Sequence, residues 1–111
     1  MKARRIDLQP YPRTSDVIDA SGKVLERKGE PYPVALNLRR WLLAPARNAT
    51  GEQIVAAWDV AEQLDGDDVL LPEADWQTLC QMFKELRGFG GDDVQTILRV
   101  LRAPEVEVGE K

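Results

Sequence analysis

Several stretches of this chain carry residue types that could do chemistry. Asp65-Gly66-Asp67-Asp68 places acids where an EF-hand loop has its first and third ligands. Such a loop needs glycine at its sixth position and a bidentate glutamate at its twelfth. Here those positions hold Leu70 and Trp76, so the stretch reads as an acidic turn that ends a helix. Gly88-Phe89-Gly90-Gly91 precedes a helix, where free backbone N–H groups attract phosphate. Asp92 and Asp93 follow at once and repel an anion, no Gly-Lys-Ser/Thr comes after, and the spacing is not G-x-G-x-x-G. A cap and turn is expected. Gly91-Asp92-Asp93 also spells a metal-binding tripeptide of some polymerases, without the flanking strands that would give it meaning. Cys80 falls on a helical pattern among apolar residues with no basic cluster to lower its pKa, so packing rather than reactivity is expected.

What is missing narrows the chemistry further. The 111 residues contain no histidine and one cysteine. Ser-His-Asp and Cys-His catalysis, histidine-ligated zinc, an internal disulfide and a C-x-x-C site are therefore all outside its means. Nothing pairs a nucleophile with a base at readable spacing. No enzymatic activity, cofactor or metal is expected. The length suits one domain, since domains commonly run ~100–150 residues. No apolar run approaches the ~20 residues of a membrane span, and no apolar segment of signal-peptide length follows the basic start. With one cysteine, this fits a reducing cytoplasm, or the host cytoplasm of a phage-encoded chain.

Charge is unevenly spread. Residues 1–48 hold ten basic and five acidic side chains, and residues 49–111 hold five and fourteen, so +5 and −9 make up the net −4. The simplest expectation is attraction between the two parts of one fold, with a charged partner or self-association as the alternative. Arg4, Arg5, Arg39 and Arg40 are the electrostatic candidates for an interaction surface. Trp41, on a helix apolar nearly all round, is the aromatic one, with core and interface both open to it. Trp58 and Trp76 fit the apolar faces of their helices and are expected in the core. An overall pI near 4.8 and acidic helix faces argue against nucleic acid.

These residues need elements to position them, and the pattern supplies an α+β order. Ile6 and Leu8 alternate with polar neighbours as a short strand, which Pro10-Tyr11-Pro12 breaks. A β-hairpin is expected over 16–30, turning at Asp19-Ala20-Ser21-Gly22. Pro33 opens a first helix, Val34 to Leu43, and Pro45 stops it. Thr50 with Gln53 three residues on is a capping box. It starts a second helix to about Leu64, with Ile54, Ala57, Trp58, Ala61 and Leu64 on one face. Val69-Leu70-Leu71 reads as a strand or as a plug over the core. The third helix starts near Pro72, carries Trp76, Leu79, Cys80, Phe83 and Leu86, and ends at Arg87 with Gly88 as left-handed cap. Asp92 caps a fourth, on which Val94, Ile97, Leu98 and Leu101 repeat at 3, 1, 3. Glu105-Val106-Glu107-Val108 alternates like an edge strand, and the last three residues read as a frayed end. The chain thus divides into an extended and hairpin part (1–32), a helical part of about four short helices (33–104) and a tail (105–111), within one domain.

Three stretches resemble small proteins encoded in the morphogenesis clusters of tailed phages and prophages. They are Arg4-Arg5-Ile6-Asp7-Leu8-Gln9-Pro10-Tyr11-Pro12, Val69-Leu70-Leu71-Pro72-Glu73-Ala74-Asp75-Trp76, and Phe89-Gly90-Gly91-Asp92-Asp93-Val94 followed by Ala103-Pro104-Glu105-Val106. The resemblance implies a non-enzymatic role in building or regulating a virion, such as a tail-assembly helper, and assigns no single residue a role. Together with the residues it points to a protein–protein interaction protein, with phage structural or assembly proteins, or a second copy, as partner. A small nucleic-acid-associated regulator using the basic front half is the alternative.

Overall fold

The N-terminal strand β1 (Lys2–Asp7) lies between two strands that come much later in the chain, β4 (Asp68–Pro72) and β5 (Glu105–Glu107), in an antiparallel sheet of order β4–β1–β5. The computed structural model describes residues 1–108, with side chains placed for all of these except 14–17 and 24–28. The end read as frayed, 109–111, lies outside the described residues. Ile6 sits opposite Val69 and Arg4 opposite Leu71, while Lys2 faces Glu107 and Arg4 faces Glu105 on the other side. Val69-Leu70-Leu71 is thus a strand, and the alternating Glu-Val-Glu is an edge strand. The fold is α+β: N-terminal strands, four helices, and a C-terminal strand that returns to pair with the first.

Helices cover the inner face of that sheet. They are α1 (Val34–Leu42), α2 (Gly51–Gln63), α3 (Glu73–Glu85) and α4 (Val94–Leu101), with 3₁₀ turns at Pro45–Arg47 and Gly91–Asp93. Each contributes one stripe to a common core of Ile6, Leu8, Val34, Leu38, Leu42, Ala57, Val60, Leu64, Leu71, Leu79, Met82 and Val100, all fully or nearly fully buried. A buried Val, Leu, Ile or Met contributes about 1.5–3 kcal/mol, so this cluster dominates the fold's stability. The Thr50–Gln53 capping box forms in both directions at the start of α2: the Gln53 N–H donates to the Thr50 hydroxyl, and the Thr50 N–H to the Gln53 side chain.

Some ends differ from the sequence expectation. α3 stops at Glu85, and Leu86 is its C-cap in extended conformation, so neither Arg87 nor Gly88 belongs to its last turn. The helical start near Asp92 is a 3₁₀ turn, and Asp93 is the residue at the head of α4, its carboxylate accepting the Gly90 N–H. The 3.6-period read for the second and fourth helices is rotated in both. In α2 the inner stripe is Ala57, Val60, Ala61 and Leu64, and Trp58, expected in the core, is 55% exposed. Its indole N–H is satisfied one turn along, by Glu62 at 2.7 Å, so nothing polar draws it inward. In α4 the inward residues are Thr96 and Val100, while Val94, Leu98 and Leu101 face solvent. Polar anchoring sets that rotation: the Thr96 hydroxyl bonds to Tyr11, and the Val100 carbonyl accepts the Trp76 indole N–H at 2.7 Å.

The hairpin is longer than the sequence suggests. β2 (Tyr11–Ile18) and β3 (Val24–Tyr32) include Pro12, read as part of a break, and Pro31, which lies past the end expected for the hairpin. They are tolerated because this is a two-stranded ribbon with irregular register, in which each proline lies beside a bulge and outside the paired positions. Gly29, at φ +134°, takes a conformation at the larger bulge that side chains rarely adopt. At the tip, the Asp19 carboxylate accepts from the Ser21 N–H, the Ser21 hydroxyl and the Lys23 N–H, which fixes the turn and holds Asp19 below the usual carboxylate range.

This ribbon stands off the body as an arm. The molecule measures 54 × 34 × 21 Å, and its radius of gyration is 15.4 Å. A compact domain of this length has about 13 Å, so the excess reflects a protrusion.

Candidate interaction site

The root of the arm is held by a cluster of stacked rings and hydrogen bonds. Tyr11 and Tyr32, opposite each other in the ladder, stack with ring centroids 4.8 Å apart. The Tyr11 hydroxyl donates to the Asp92 carbonyl at 2.5 Å and lies 2.8 Å from the fully buried Thr96 hydroxyl. The Tyr32 hydroxyl donates to the Asp93 carboxylate at 2.5 Å. Arg13 and Arg99 lie over the outer faces of the pair, the first near Tyr32 and the second near Tyr11. Burial raises the pKa of both phenols, and for Tyr32 the carboxylate of Asp93 adds to the rise. The pair holds the arm to the 3₁₀ turn that opens α4. The sequence alone placed Tyr11 in a proline break and Tyr32 just before the first helix, and gave neither a role. The signal that could have found them was the repetition of Pro-Tyr-Pro at both ends of the hairpin, which marks two similar edge positions.

The candidate arginines do not form one surface. Arg4 grips the Glu73 carboxylate with two nitrogens at 3.0 and 3.1 Å, donates to the Ala103 carbonyl, and lies 4.1 Å above the Trp76 ring. That contact holds Glu73 below the usual carboxylate range. Arg5, on the opposite face of β1, pairs with Asp68 at 2.8 Å. Arg39 caps α2 by donating to the Ala61 carbonyl. Arg40 is exposed, with no hydrogen bond or ion pair among the described residues. Four of the ten basic side chains of residues 1–48, and the Met1 amine, are matched among the described residues to acids of residues 49–111: the Met1 amine to Glu107, Lys2 to Glu105, Arg4 to Glu73 and Glu105, Arg5 to Asp68, and Arg47 to Glu85. Part of the charge asymmetry of the sequence is thus an internal match.

Trp41 is half-buried in an aromatic trio, edge-on to Phe83 and Phe89. Phe89 was passed over as part of a glycine connector, yet it is what that connector delivers to α1 and α3. Trp76 is half-buried under Arg4. Cys80 is half-buried beside them, and burial pushes its thiol up. The Asp65–Asp68 stretch is a turn in which the Asp65 carboxylate accepts the Gly66 N–H and Asp68 is paired to Arg5. Among the described residues no group of three or more Cys, Asp and Glu could hold a metal ion, and no helix is long and apolar enough to cross a membrane.

Three surface features remain without an internal role. The first is the arm itself, whose strands pair only with each other. The second is a groove of about 320 Å³ between α1 and α2, floored by Leu43, Trp58 and Ala61 and edged by Arg39 and Glu62. The third is the stripe Val94, Leu98 and Leu101 on α4. No known family model, curated protein or solved structure matches the chain.

Proposed function

We propose that this chain is a non-enzymatic protein–protein interaction protein of the kind that phage and prophage morphogenesis clusters encode, working as a helper in virion or tail assembly. The observation that carries this reading is the arm. An isolated two-stranded hairpin is marginal in water, yet this chain extends one away from its core and clamps its root with two buried tyrosines. Both ribbon edges present unpaired backbone groups, which suits strand addition by, or insertion between, neighbouring subunits. The exposed Trp58 groove and the α4 stripe add apolar contact surface. The alternative, a nucleic-acid-associated regulator, loses support because Arg4 and Arg5 are engaged by carboxylates. A gel shift at low salt tests it.

The decisive experiment is pairwise co-purification of the full chain with the product of each adjacent gene. It is repeated with residues 14–30 replaced by a short Gly-Ser turn. The expected result is one stable complex that the arm-shortened chain no longer forms while keeping its helical circular dichroism. Failure of every pair, with the chain monomeric on its own by light scattering, overturns the reading.

A further inference from the structure

We infer that the stripe Val94–Leu98–Leu101 on α4 is covered by the same stripe of a second copy, paired antiparallel about a two-fold axis beside Leu98. This deepens the interaction reading above and rests on it. The three side chains are 52, 37 and 48% exposed and spaced four and three residues apart, so they line one side of the helix. The stripe is close to palindromic: in an antiparallel pair Val94 meets the partner's Leu101, and Leu98 meets its own counterpart. Self-matching of this kind is what an isologous interface requires.

The charges at the two ends match in the same sense. Asp93 heads the helix, its carboxylate accepting from two neutral donors, the Tyr32 hydroxyl and the Gly90 N–H, and Arg102 follows the last turn, exposed and with no ion-pair partner among the described residues. An antiparallel pair sets each Arg102 towards Asp93 of the other copy and lays the two helix dipoles antiparallel, each N-terminus beside the other's C-terminus. A hetero-partner would need an apolar stripe with the same polarity of charge, and the chain supplies one itself. α4 has eight residues, about 12 Å at ~1.5 Å per residue. A contact of that length falls well below the ~1,200 Å² of a stable interface. The dimer is therefore weak, dissociating at micromolar or higher concentrations. Because the arm is rooted at the same 3₁₀ turn, each arm base lies beside the end of its partner's α4.

Sedimentation velocity of the full chain across that concentration range tests the pairing. The expected result is a concentration-dependent rise from 12.5 kDa towards twice that mass. Leu98→Asp should abolish it, Arg102→Glu should weaken it several-fold, and Trp58→Ala should leave it unchanged, with circular dichroism the same in all three. In a Cys80→Ala background, Leu98→Cys should oxidise to a covalent dimer, since that position lies beside the axis, and Trp58→Cys should not. A monomer at every concentration, or a dimer indifferent to Leu98→Asp and to the cysteine at 98, overturns the proposal. If Leu98→Asp instead removes capture of an adjacent-gene product by a chain that is always monomeric, the self-pairing is wrong and the interaction reading stands.

Discussion

Tyr11→Phe removes one oxygen from the root of the arm, and the structure sets what that should cost. The lost hydroxyl bonds to the Asp92 carbonyl and to Thr96 Oγ1, in surroundings where Thr96 has no solvent exposure. A net hydrogen bond is worth about 1 kcal/mol, and stranding a buried hydroxyl costs about 1–3. Thr96 sits on a helix and can turn back to the carbonyl four residues earlier, which is Asp92 itself, so the stranding is partial. Together these give a loss of about 1–2 kcal/mol, or about 5–10 °C in Tm for a chain of this size. Thr96→Val alone should cost about 1 kcal/mol, because Tyr11 keeps its bond to Asp92. The double variant should be little worse than the worse single one, since removing both partners leaves no orphan, giving a coupling of about 1 kcal/mol. Urea unfolding followed by far-ultraviolet circular dichroism measures the cycle. Hydrogen exchange adds the local reading: amides of β2 and β3 should lose protection in Tyr11→Phe before those of β1 and α3. A coupling under about 0.3 kcal/mol, the usual scatter of independent sites, would refute the idea that this contact anchors the arm.

Other expectations are independent of that cycle. Tyr11 and Tyr32 are the chain's only tyrosines and both have raised pKa values, so absorbance at 295 nm should show no normal phenol titration near pH ~10. The sign follows: their stabilisation is complete below the unfolded value of ~10 and is lost as pH rises through the folded one, so ionisation and loss of circular dichroism should coincide. At the acid end, the lowered Glu73 contributes stability present above ~4.3 and lost as pH falls through its folded value, so Glu73→Gln should flatten the acid limb of an unfolding profile. Arg47, whose side chain is 2% exposed, donates to Glu85 and to the last turn of α1 at the Leu42 carbonyl. Arg47→Ala should therefore cost about 2–4 kcal/mol by thermal unfolding, and a loss below 1 would mean the site relaxes or admits water. Trp58→Ala should change stability by less than about 0.5 kcal/mol and shift the mean fluorescence emission to shorter wavelength, because the most solvent-exposed indole is gone.

Local chemistry made much of the fold legible. The capping box at Thr50, the prolines flanking α1, the Asp19 turn and the alternating Glu-Val-Glu each specify a conformation within a few residues, and each forms. What stayed hidden depends on partners far along the chain. Trp58 and the α4 stripe lie on helix faces that are apolar by count, but which side of a broad apolar arc turns inward is decided by Trp76, Tyr11 and Glu62. Pro12 looked like a strand breaker because its harmlessness depends on a bulged two-stranded ribbon. The arginines were legible as charges, whereas their engagement by Glu73 and Asp68 required the sheet register to be known. Trp41, open between core and interface, is held half-buried by Phe89, a residue whose reach across a glycine connector no periodicity reveals.

The position of β1 has a consequence for how the molecule assembles itself. This strand is made well before either of its neighbours: one starts at Asp68, the other at Glu105, and even the Met1 carbonyl bonds to the Val108 N–H. Contacts of such long sequence separation are slow to close, because the loop entropy is spent before any pairing rewards it. The α1–α2 pair needs only local contacts and can form early, whereas the root of the arm waits for Asp92, Asp93 and Thr96. On a ribosome the sheet would wait until Glu107 has been made, with Ile6 and Leu8 uncovered meanwhile. The folding rate should accordingly be limited by closure of the β4–β1–β5 sheet, and circular permutation that brings β1 next to β5 should speed it.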